Sequence, residues 1–202
     1  MAIKTHHLSR ITHCSVKVFC AFSLVELLVV LSILTMVSSV VLANHSRFNG
    51  TVLLGSLAYD IALSVRQAQV YGLSVRQYSD DFHVGYGVHF SDASSYIFFV
   101  DRNINQQYDE GEDSIVQTYT VGRGHIIQSF CGVTANGTER CSDSETPITH
   151  LDVVFLRPDP DAVMSSNEPG MLSQGIITVA APSGDTRSIV VASTGQISVQ
   201  NP

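Results

Sequence analysis

Residues 22–43 are apolar on every side of a helix, interrupted only by small hydroxyl residues and one carboxylate, Glu26. At 1.5 Å per residue this run is about 33 Å long, enough to cross a bilayer. The apolar core of an ordinary secretory signal is shorter, about 7–15 residues. From Leu53 the pattern becomes a stripe. Leu54, Leu57, Ile61, Val65, Ala68 and Gly72 recur at steps of three and four, and Asp60, Ser64, Arg66, Gln67 and Gln69 fill other faces. This is the period of an amphipathic helix with one buried side. No proline stands between Phe22 and Arg76. The spacing therefore predicts a single helix of about 50 residues, weakened at Asn49-Gly50.

After Gln77 the helical period disappears. Short β-prone runs follow at 83–90, 96–100, 114–121, 125–131, 151–156, 175–180, 188–192 and 196–199, separated by turn-forming residues. Val84, Tyr86, Val88 and Phe90 alternate, which predicts a strand with one buried face. Asn136-Gly137 and Thr194-Gly195 read as tight turns. Arg157-Pro158-Asp159-Pro160-Asp161 reads as a rigid turn before a mobile loop around Ser165–Gly170, a place for a partner to bind. Antiparallel strands behind one long helix make an α+β fold. The expected organisation is a leader over 1–21, an apolar helix half over 22–43, an amphipathic half over 44–77 and an antiparallel β domain over 78–202.

Composition narrows the class. Hydrophobic residues make up 45% of the chain and charged residues 14%, which excludes a disordered polymer. The formal net charge of -7 disfavours nucleic acid as a partner, and Arg66, Arg76 and Arg187 are too scattered to form a basic patch. Lys4, Arg10 and Lys17 precede the apolar run, and no acid does. Such a leader stays cytoplasmic and sends the rest outside. Cys14 and Cys20 fall in the leader, whereas Cys131 and Cys141 fall in the external part. In an oxidising compartment the latter two can close a loop worth about 2.5–3 kcal/mol; two buried free thiols are the alternative.

Ala21-Phe22-Ser23-Leu24-Val25-Glu26-Leu27-Leu28 behind a basic leader resembles the class 3 signal of type IV prepilins and type II secretion pseudopilins. The rest of the chain is similar to the H-type pseudopilin and T-type minor pilin group (GspH/FimT-like). The similar parts are the amphipathic Leu57–Arg76 segment, Phe99-Val100-Asp101-Arg102-Asn103, and the closing Val190-Val191-Ala192-Ser193-Thr194-Gly195. The resemblance implies a pilin-like fold and a non-enzymatic filament subunit. It implies cleavage between Ala21 and Phe22 by a prepilin peptidase and methylation of the Phe22 amine. It further implies partnership with other pilin subunits and with an inner-membrane assembly platform. The family's usual residue before the cut is Gly; here it is Ala21, also small. The protein would be a single-pass cytoplasmic membrane protein with its N-terminus inside, later drawn into a filament.

Two roles for Glu26 stand side by side. Cleavage would create an ammonium on Phe22, and in low dielectric Glu26 would pair with it or with a neighbouring subunit's amine. Alternatively, Ser23-x-x-Glu26 is a capping box, in which Glu26 satisfies the helix start. The Val41-Leu42-Ala43 ending leaves open a secreted protein cut by signal peptidase, a surface hydrolase among them. A tip-located binding module, for adhesion or DNA uptake, is a further alternative.

One loop carries metal-ligand spacing. Asp101, Asn103, Asn105, Gln107, Asp109 and Glu112 occupy positions 1, 3, 5, 7, 9 and 12 of an EF-hand-like run. That pattern gathers oxygens around calcium. Gln106 stands where Gly makes the sharp turn, and both flanks read as strands rather than helices. An Asn/Asp-rich hairpin with solvated acids is the competing reading, and no cofactor is otherwise implied. His83, His89, His125 and His150 have no ligand spacing and read as ordinary strand residues, and no catalytic constellation is legible.

Overall fold

The computed structural model describes residues 23–74, 78, 83–168 and 170–201, and of 43–49 the backbone alone. One helix, α1, runs Leu24–Leu73 over 50 residues, as the absence of breakers predicts. The chain divides into two compact units, one up to Asn44 and one from His45, and each is described by itself.

In the first unit the helix start is capped. The Glu26 amide donates to Ser23 Oγ at 3.2 Å, and the Leu27 amide donates to the Ser23 carbonyl at 3.1 Å. The 19 residues Leu24–Leu42 are long and apolar enough to cross a membrane, and none of their side chains is buried.

In the second unit the helix turns one-sided. Leu54, Ala58, Ile61, Val65 and Ala68 are fully buried, at the three-and-four spacing of a single stripe. Leu57 lies at the margin of that stripe and packs against it. Ser64 and Gln69, expected on the outer faces, are buried as well. Each is tolerated because it has a partner: Ser64 Oγ lies 3.0 Å from Tyr96 Oη, and Gln69 Nε2 donates to the Pro160 and Gly195 carbonyls.

Two antiparallel five-stranded sheets complete the unit, making the fold α+β. The strands are β1 Gly85–Phe90, β2 Ser95–Asp101, β3 Ser114–Thr120, β4 Ile126–Thr134, β5 Glu139–Cys141, β6 Leu151–Phe155, β7 Ala162–Ser166, β8 Leu172–Ala180, β9 Thr186–Ala192 and β10 Ile197–Gln200. Their order is β3-β2-β1-β6-β7 in one sheet and β10-β9-β8-β4-β5 in the other. The helix stripe and residues of both sheets form one core, with Phe90, Phe98, Phe155, Ile127, Ile177 and Ile189 among its largest fully buried members.

Both expected tight turns are made: Gly137 and Gly195 take φ of 80° and 77°. Two strands escaped the sequence. β5 is only three residues long, and β7 occupies the start of the segment expected to be a mobile loop. Each is recruited by pairing with a neighbour, β4 and β6 respectively, rather than by its own propensity. Cys131 and Cys141 sit opposite one another in the β4–β5 register and form a disulfide.

The expectation of one buried face on β1 is overturned, since all six of its residues are buried. The inner face joins the core. On the outer face, Gly85 pairs with Asp101, Gly87 with Phe99 and Val154, and His89 with Asp152. A Cβ at Gly87 would lie 2.8 Å from the Phe99 ring, so glycine leaves the room that ring occupies beside the strand. Residues 102–113 fold back over this face. The Tyr108 ring lies against His89 at 4.6 Å and Phe99 at 5.1 Å between centroids.

Candidate functional site

Two features of the chain call for chemistry. The first is the head of α1. Ser23 supplies its half of the capping box, but among the described residues the Glu26 carboxylate has no partner. It is exposed, as are the apolar residues that follow. Ala21, Phe22 and the leader lie outside the described residues.

The second feature is the loop between β2 and β3, where all six expected oxygen-bearing residues are placed. Asp101 ends β2 and is wholly buried. Its Oδ2 accepts the Gln106 amide at 2.9 Å, across the sharp turn. The amides of Ile104 and Asn105 also face this carboxylate. Burial pushes its pKa up, the Asp113 charge adds to that, and the surrounding N–H groups oppose it.

The turn itself corrects an objection from the sequence. Gln106 adopts φ of 67° where glycine was wanted, and Ile104 adopts 59°. Side chains in this region cost about 1–2 kcal/mol each relative to the right-handed form. The loop offsets that cost with local bonds. Asn103 Oδ1 accepts the Asn105 amide at 3.2 Å, and Asn105 Oδ1 accepts the Gln107 amide at 3.0 Å. Asp113 closes the loop by accepting the Arg102 and Asp109 amides, both at 2.9 Å.

The remaining acids cluster around amide donors. Asn103 Nδ2 donates to Asp109 Oδ2 at 3.1 Å and to Glu112 Oε2 at 3.0 Å, and Asn105 Nδ2 also donates to Asp109 Oδ2. These amides hold the Asp109 pKa below the usual carboxylate value. With the amides between them, no three acidic oxygens of the loop approach within 4.8 Å, among the described residues. Among the described residues, the one tight group of ligating types is Cys131, Glu139 and Cys141, whose sulfurs are joined in the disulfide and offer no thiolate.

The sheet beneath fixes the loop. The Tyr108 amide donates to Asp152 Oδ2 at 3.1 Å, and Ser165 Oγ donates to the Gln106 carbonyl at 3.0 Å. His89 Nδ1 lies 2.5 Å from Asp152 Oδ1, and His150 Nε2 lies 3.8 Å from Asp152 Oδ2. Sequence reading missed Asp113, Asp152 and the His89 pairing. Asp113 lies one residue past the recognised spacing. Asp152 meets His89 only through the β1–β6 register, across 63 residues of chain.

Comparison with protein-family models, curated proteins and solved structures yields no match to this chain.

Proposed function

We propose that the chain is a minor pilin or pseudopilin, a non-enzymatic subunit of a type IV pilus or a type II secretion pseudopilus. One observation carries this reading. A carboxylate with no described partner, Glu26, sits in the first turn of an exposed, predominantly apolar helical span, Leu24–Leu42. A charge in hydrocarbon costs at least about 2.5–3.5 kcal/mol at mid-helix, so it needs a partner. Cleavage between Ala21 and Phe22 supplies one, the new ammonium on Phe22, either within the chain or from a neighbouring subunit. Pairing between subunits sets the axial register while the apolar surfaces bury one another.

Other features agree in direction. The basic leader keeps the N-terminus in the cytoplasm. The Cys131–Cys141 disulfide belongs to an oxidising compartment, outside it. A long helix whose second half packs on antiparallel sheets is the arrangement expected of a pilin-like fold.

The test is the N-terminus of the mature protein. The expected sequence starts at Phe22 with a methylated amine; a start after Ala43 overturns the proposal in favour of a secreted protein. A second arm uses Glu26→Ala. The variant is expected to be cleaved and folded, yet its share of sheared filaments should fall at least about tenfold, the ratio set by about 1.4 kcal/mol. Normal incorporation would count against the role of Glu26.

A further inference from the structure

We infer that the loop Asp101–Glu112 is a binding site for one hard divalent cation of calcium's size. The inference stands whether or not the chain enters a filament. It starts from Asp101. This side chain is 0% exposed, its Oδ2 is held by the Gln106 amide, and its Oδ1 accepts no hydrogen bond from any described group. An orphaned buried acceptor is costly and rare in native proteins. The amides of residues 104–106 face this carboxylate from within the loop.

The rest of the loop is short of positive charge. Between 101 and 113 it carries Asp101, Asp109, Glu110, Glu112 and Asp113 against the single cation Arg102. The Arg102 guanidinium reaches only the Glu112 carbonyl, at 3.4 Å, and none of these acids forms an ion pair among the described residues. Asp109 and Glu112 instead converge on the Nδ2 of Asn103. That amide stands where a cation would neutralise both carboxylates. Asn103 and Asn105 each use one side-chain lone pair on the backbone, at the Asn105 and Gln107 amides, and keep a second for a ligand.

The chemistry of the donors selects the ion. All are oxygens, carboxylate and carboxamide mixed, on a loop with room to adjust. Zinc and copper favour nitrogen or sulfur. On the sheet below, His89 Nδ1 is already engaged with Asp152. Magnesium demands a rigid octahedron and keeps its waters, which suits this irregular set less well. The loop is preorganised by its seat on the sheet, through Tyr108 against Phe99 and His89 and through Ser165. An affinity of about 10⁻⁴–10⁻³ M, that of extracellular calcium modules, is the expected range.

The test uses the full chain in detergent micelles, stripped of metal with a chelator. Calcium is titrated by calorimetry and by thermal unfolding. Terbium is titrated in parallel, with luminescence excited through tyrosine, because the chain has no tryptophan and Tyr108 lies within the loop. A single saturable site, a raised melting temperature with calcium, and terbium luminescence displaced by calcium are expected. Glu112→Gln removes an exposed ligand without touching the buried anchor. It should weaken calcium binding at least about tenfold, by the loss of a charged ligand, and leave the metal-free melting temperature unchanged. No heat and no stabilisation up to about 10 mM calcium, ten times the weakest affinity of this class, overturns the site. Equal stabilisation by magnesium overturns the assignment to calcium's size. Unchanged affinity in Glu112→Gln, if Asp109→Asn is also unchanged, overturns the ligand set.

Discussion

At the residue scale, the buried hydroxyl pair under α1 gives a measurable signature. Tyr96 is buried, with its hydroxyl 3.0 Å from Ser64. Burial pushes its pKa up to about 12, against a partial lowering by the Ser64 hydroxyl. In the unfolded chain the value is about 10. Between these two pH values the folded protein holds a proton that the unfolded chain has lost. Stability therefore falls as pH rises from about 10 to about 12, by on the order of 2 kcal/mol, and below pH 10 this group contributes no slope. Tyr96→Phe is expected to remove that part of the decline, while costing about 1 kcal/mol at neutral pH for the lost bond. Denaturant unfolding of both proteins across the range checks this, and parallel curves would refute it. Nothing in the sequence marked Ser64 as buried. A serine on a helix surface reads as solvated until the strand that brings Tyr96 is in place. Asp101 is the same case: its spacing was legible, but its burial and orphaned oxygen were not.

At the element scale, the end of α1 is set by a close approach. A Cβ at Gly72 would lie 2.3 Å from the Phe155 carbonyl oxygen of β6. The obstacle is backbone, which cannot rotate aside. Glycine in a helix interior ordinarily costs about 1 kcal/mol relative to alanine, so an unconstrained Gly→Ala change would stabilise. Here Gly72→Ala is expected to destabilise by about 1–3 kcal/mol, because helix and strand must separate. Chemical denaturation gives the sign, and a gain in stability would show that the approach is looser than described. The sequence placed Gly72 on the buried stripe through its spacing, although only β6 explains why a glycine is needed there. The missed strands teach a related lesson. β5 and β7 carry weak local signals and form because β4 and β6 offer them an edge.

At the scale of the whole molecule, the two units differ in what water asks of them. Leu24–Leu42 exposes its apolar side chains on every side, whereas the unit from His45 buries its own core. A chain lacking residues 1–44 is expected to remain folded without detergent and to melt cooperatively. The full chain should need detergent or lipid, since exposed apolar surfaces of this kind drive association. Circular dichroism with size-exclusion chromatography tests both, and aggregation of the shortened protein would show that its core depends on the missing segment. The sequence by itself determined the long helix, its change from all-round to one-sided apolarity, the alternating strands, the tight turns at Gly137 and Gly195, and the spacing of oxygens from Asp101 to Glu112. All of these are relations between near neighbours, and helix and strand periods record them directly. Only the tertiary structure decided that both faces of β1 are covered, that Asp152 lies beneath Tyr108, that Gln106 takes the turn glycine was expected to make, and that Asp101 is sealed from water with one oxygen unmet. Burial depends on what folds over a residue, and here the covering groups arrive from strands and loops tens of residues away.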